Sequence, residues 1–198
     1  MKSLKILSIT LLLLLVACSL PAAAGSVNMT FNGTGGNAYG GIATYPYNFT
    51  VSGHPESLMC IGYNEHISGG ETWLANVYSV DGYGALIGNV QKADELAYLY
   101  KLALGTNGKN SIYNAEAWYI NEGVPTPDPD PALNALVTGM TFTKGEFSGM
   151  QVYVPIDGSQ SFGEIPQTFY GTPEPSTLLT LGTGLLGLAG LARKRLLH

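Results

Sequence analysis

The sequence predicts an α+β fold: one β-rich ectodomain, sandwich-like or a compact antiparallel sheet, with an insert of two to three helices over about residues 92–138. Three observations lead there. Short strand-like runs separated by Gly-rich turns occur on both sides of the middle of the chain. Between them the apolar residues change to the spacing of an amphipathic helix. An uncharged apolar segment stands near each terminus, and setting both aside leaves Gly25 to Thr172, which is one domain by length.

The elements follow in order. Gly25 to Gly53 is rich in Gly, Asn, Thr and Tyr; within it Tyr45 to Val51 alternates as a strand, with Pro46 near its start, where a missing N–H donor is tolerated. Ser57 to Tyr63 and Glu71 to Val80 read as further strands, with Gly69-Gly70 as the turn between them and Trp73, Val77 and Tyr78 as packed residues. Lys92 to Leu104 sets Ala93, Leu96, Ala97, Tyr100, Ala103 and Leu104 on one helical face, and Gly105 follows as a C-terminal cap. Asp94-Glu95 then fall in the first turn, where the helix dipole favours them. Asn110 or Ser111 caps a second helix through Tyr119, whose inner face is Ile112, Ala115, Trp118 and Tyr119. The alternating prolines from Pro125 to Pro131 form a stiff extended spacer. Its end starts a third, short helix over Ala132 to Thr138, with Asp130 as N-cap and Pro131 at the first position. Thr141 to Phe147, Gln151 to Pro155 and Gln167 to Tyr170 return to strand composition.

Both termini read as addresses. Lys2 and Lys5 precede an apolar run from Ile6 to Ala17, and Pro21 breaks that helix ahead of Ala22-Ala23-Ala24. Residues 1–24 are therefore a signal peptide cleaved between Ala24 and Gly25; the alternative is lipidation at Cys18, because Leu15-Val16-Ala17-Cys18 matches a lipobox. At the other end, Pro173, Glu174, Pro175 and Ser176 open a tail whose apolar helix, about residues 176–192, is near the minimum for crossing a bilayer. Arg193, Lys194 and Arg195 follow at once, and such a cluster stays on the cytoplasmic side. The body is thus expected outside, anchored in the membrane through the C-terminal helix. Residues 172–198 resemble the PEP-CTERM sorting signal. The resemblance implies processing by an exosortase-type membrane protease close to the proline motif.

Charge narrows the partners. Four lysines face thirteen acidic residues between Gly25 and Thr172, so the body repels nucleic acid and anionic lipid. Cys60 is the only cysteine in that region, which leaves no intrachain disulfide.

Cys60 is the residue most open to chemistry. Met59-Cys60-Ile61-Gly62-Tyr63-Asn64, then Gly70-Glu71-Thr72-Trp73, Asn114 to Trp118, Tyr153-Val154-Pro155 and Pro166-Gln167-Thr168-Phe169 resemble segments of small exported PEP-CTERM proteins. The layout is also distantly similar to the thioester domains of bacterial surface adhesins, in which a Cys and a Gln on a Trp-bearing helix form an internal thioester that captures amines. The resemblance implies a Cys60–Asn114 crosslink, although Asn114 is one methylene shorter than glutamine and Glu116 replaces a small residue. The plainer reading is a buried free thiol packed as a small hydrophobe.

Other constellations are bland. His54, Glu56, Cys60, Glu65 and His66 have no zinc-ligand spacing, so no metal and no cofactor is expected. Ser57, His54 and Asp81 lack a nucleophile elbow. The expected function is that of an exported, non-catalytic cell-surface or extracellular-matrix protein, with an exosortase as partner and no nucleic acid. The alternative is an adhesin-like module that binds exopolysaccharide or surface proteins through exposed tyrosines, of which the chain has 12.

Overall fold

The computed structural model describes residues 25–106, 111–123, 129–161 and 166–172. The predicted signal peptide, most of the proline spacer and the predicted membrane helix lie outside them. Six antiparallel strands close into a barrel in the order β1 (Ser26–Thr34), β4 (Tyr47–Val51), β5 (His54–Cys60), β8 (Phe169–Gly171), β7 (Gln151–Pro155) and β6 (Thr72–Ser79). A two-stranded hairpin, β2 (Ala38–Tyr39) and β3 (Ile42–Ala43), stands beside it.

The α+β, β-rich expectation holds, but the sheet closes on itself where a sandwich or compact sheet was predicted. β1 makes the difference. It pairs with β4 on one side and β6 on the other, and closure leaves the main sheet no edge to protect. Its Asn- and Gly-rich sequence hid a strand in which only Met29 and Phe31 are buried. The predicted pairing across Gly69-Gly70 does not form: β5 bonds to β4 and β8, and β6 to β1 and β7.

Period two along the strands sorts two cores. Met29, Phe31, Tyr47, Phe49, Leu58, Cys60, Trp73, Tyr153 and Phe169 fill the barrel. Phe49 meets Phe169 at 4.7 Å and Trp73 at 5.7 Å between ring centroids. The intervening residues Met59, Ile61, Val152 and Tyr170 face outward and join the helical layer.

That layer lies between β6 and β7 in sequence and comprises α1 (Val80–Leu86), α2 (Val90–Gly105), α3 (Ile112–Glu122) and α4 (Pro131–Thr138). The insert begins twelve residues earlier than predicted, since α1 went unseen beneath its two glycines, Gly82 and Gly84. Asn89 caps α2 by accepting from Lys92 N at 2.9 Å, which moves Asp94 and Glu95 past the first turn and buries them. Gly105 is the last helical residue and Thr106 the cap. Asp130 caps α4 as predicted, accepting from Ala132 N at 2.9 Å and Leu133 N at 3.2 Å. Residues 141–147 form turns in place of a strand, pinned by buried Phe147.

Candidate functional site

The site grows from one register. Cys60 closes β5 opposite Phe169 of β8, and Met59 lies opposite Tyr170. A further main-chain bond, Ile61 N to Thr168 O at 3.1 Å, carries the ladder one step on. Strand alternation then returns Gln167 to the face that carries Phe169 and Cys60, as the diagonal neighbour of the cysteine.

There the two side chains meet. The Cys60 thiol donates to Gln167 Oε1, and Gln167 Nε2 donates to the main-chain oxygen of Glu65. The Trp118 indole N–H donates to Cys60 Sγ at 3.4 Å, and Gly62 O lies 2.9 Å from the same sulfur. Cys60 is fully buried and Gln167 nearly so. Burial pushes the thiol up to about 12, against the pull of the Trp118 N–H and the Gly62 main chain. A thiolate is therefore disfavoured here. A neutral acyl derivative of the sulfur would carry no such cost.

The expected partner, Asn114, is occupied elsewhere. Its Oδ1 accepts from Tyr45 N at 2.8 Å and its Nδ2 donates to the main-chain oxygen of Cys60, also at 2.8 Å. Asn114 thus brackets the cysteine backbone, and its carboxamide does not face the sulfur. The shorter side chain suits that task, because α3 packs directly on the barrel core through Ala115 and Trp118. Glu116 is buried, with Oε1 accepting from Asn134 Nδ2, so it belongs to the contact with α4. The signal for Gln167 was present in Pro166-Gln167-Thr168-Phe169: a carboxamide two residues before an aromatic on a strand shares its face.

The loop after β5 cradles the pair. Glu122 accepts from Tyr63 N at 2.8 Å and from Asn64 Nδ2 at 2.7 Å, while Asn121 Nδ2 donates to Ile61 O at 2.9 Å. Gly62 lets the Glu65 carboxylate close against the main chain, where a Cβ would displace it. Burial, and then the neighbouring Glu122, hold the Glu65 carboxyl above its usual range. Outside the cradle, a cleft of about 530 Å³ reaches Gln167, walled by Tyr47, Tyr63, Trp118, His66 and Ile67. His54 and Glu56 sit on β5 away from this cleft, and Glu56 accepts from Tyr153 Oη at 2.8 Å.

Beyond β8 the chain passes into its tail. The family model described as the PEP-CTERM protein-sorting motif matches residues 172–195. The chain carries a PEP-CTERM tail. That motif routes export and membrane-associated sorting through an exosortase, itself a membrane protein, to the cell surface. Pro173, Glu174, Pro175, Ser176, Arg193, Lys194 and Arg195 lie within the match but outside the described residues. Thr172, the first matched residue, directly follows β8. At the other terminus Cys18 and Ala24 are likewise outside, whereas the Gly25 carbonyl accepts from Val77 N at 3.3 Å. No curated protein and no solved structure matches the chain.

Proposed function

We propose that this is an exported, non-catalytic surface or matrix protein whose barrel closes a thioester between Cys60 and Gln167 and uses it once to capture a primary amine on a partner. One observation supports it above the rest: a buried thiol touches a buried carboxamide whose nitrogen is already held apart, on Glu65 O.

The chemistry balances without a redox partner. Sulfur attacks the Gln167 side-chain carbonyl carbon, the C–N bond breaks, and the thiol proton leaves with the nitrogen as ammonia. An amine entering through the cleft then attacks the same carbon. The C–S bond breaks, a proton from the amine passes to Cys60, and the partner remains in amide linkage to residue 167. The burial that raises the thiol keeps the released sulfur protonated. Each molecule reacts once, so the protein is a covalent adhesin and no enzyme.

The alternative of a sugar-binding aromatic surface is the weaker reading, since all twelve tyrosines are buried or half-buried. The signal peptide exports the body, the apolar tail halts transfer, and the exosortase acts near Pro173 to Ser176.

Intact-mass measurement of the natively produced protein tests the bond. The ectodomain should be about 17 Da lighter than its sequence mass, and methylamine should convert it to a species about 14 Da heavier than that mass. Cys60→Ala and Gln167→Ala should each abolish both changes. An unaltered mass in freshly prepared native protein refutes the thioester.

A further inference from the structure

The residue assigned to capture and the first residue of the sorting motif stand at the two ends of one strand. Gln167 is separated from Thr172 only by Thr168 and β8, a distance of roughly 17 Å in extended chain. The two ends open on different clefts: Gln167 on the one with Gly62 and Trp118, Thr172 on another with Pro55, Glu56 and Tyr100. Capture therefore happens at one end of the barrel and anchorage begins at the other.

We infer that β8 is a tension member: it ties captured partner to anchor through the middle of the fold, so that a pull between them bypasses the rest of the ectodomain. This rests on the thioester reading for what is attached at residue 167. The mechanics rest on the strand alone.

Force applied at both ends of one strand stretches its covalent backbone. It neither shears nor peels the ladder. An extended strand already rises about 3.3 Å per residue against a limit of about 3.6 Å, so these five steps hold only about 1–2 Å of slack. The strand is also fixed sideways. It pairs with β5 and β7, all three residues are buried, and Tyr170 Oη donates to Ala93 O at 3.1 Å. Gly171 lets Leu58 and Tyr153 close over it, where a Cβ would collide with both. A load entering at Gly25 meets the opposite situation. It must strip β1 from β4 and β6 and then unravel everything before β8.

Single-molecule stretching of the full chain, tethered after His198 in detergent, tests the inference. One sample carries its second handle as a biotinylated primary amine captured at Gln167, and another, treated first with methylamine so that no Cys60–Gln167 bond remains, carries it on the mature N-terminus. The amine-held chain should extend without unfolding steps, whereas the N-terminally held chain should release about 500 Å as some 140 residues unravel. A doubly substituted chain, Cys60→Ala with Gln167→Cys, takes a maleimide handle at the same position. Failure of the amine handle to attach, with the maleimide-held chain still extending smoothly, rejects the thioester and keeps the tension member. Unfolding steps of hundreds of ångströms in the chain held at residue 167 overturn the inference.

Discussion

Asn114→Ala separates the bracket from the acyl partner. In the fold this carboxamide satisfies two buried main-chain groups, Tyr45 N and Cys60 O, each at 2.8 Å. Truncation leaves both without their partner inside the protein. A buried polar group left unpaired costs about 1–3 kcal/mol, so the pair should cost about 2–6 kcal/mol. Set against a total of about 5–15 kcal/mol, that is a large loss, equivalent to about 4–24 °C in Tm for a domain of this size. Urea unfolding followed by tryptophan fluorescence reads it as a lowered midpoint at unchanged slope. The same sample, weighed intact while folded, should still show the deficit of about 17 Da, because Gln167 supplies the acyl carbon. The bracket reading would be refuted by a variant that keeps its urea midpoint and loses the deficit, since Asn114 would then be the crosslinked residue.

Three further outcomes follow from the same structure. Glu116 is buried, with Oε2 lacking a hydrogen-bond partner among the described residues, and burial raises its pKa in spite of the Asn134 donor. A carboxyl raised on folding contributes stability below its unfolded value that is lost as pH rises through the folded one. Glu116→Gln should therefore flatten the decline of the urea midpoint as pH rises above the ordinary glutamate value of about 4.3, and an unchanged slope would exclude this carboxyl as its source. With the thioester prevented by Gln167→Leu, native Cys60 should react with iodoacetamide at pH 8 on the order of 10³-fold slower than an exposed thiol, and at the ordinary rate in urea. Gly171→Ala should cost about 1–3 kcal/mol through the collisions with Leu58 and Tyr153, read as a lowered Tm; a neutral result would show that β8 is loosely packed.

Local chemistry was legible wherever a residue's own backbone or its near neighbours decide its state. Asp130 and Pro131 announce the start of α4, and the spacing of Ala93, Leu96, Ala97, Tyr100 and Ala103 announces the buried face of α2, because a cap and a helical stripe each span only a few residues. β7 was readable from Gln151 to Pro155 for the same reason. The strand expected at residues 141–147 failed since its composition suits a buried turn equally well, and Phe147 finds its burial without a ladder. β1 was missed because a barrel strand with a bulge after Phe31 needs few apolar residues.

The sequence by itself determined the address: a proline motif, an apolar run and a terminal basic cluster are legible in order without any fold, and the PEP-CTERM match over residues 172–195 agrees with that tail. It also marked Cys60 as the singular nucleophile of the body. Which carboxamide faces that sulfur was decided only by tertiary structure. Asn114 lies 54 residues from Cys60 and Gln167 lies 107, and sequence similarity favoured the nearer, Trp-bearing helix. Strand register chose the farther one, because antiparallel pairing of β5 with β8 fixes side-chain faces to the single residue, and a slip of one would have turned Gln167 away from the thiol.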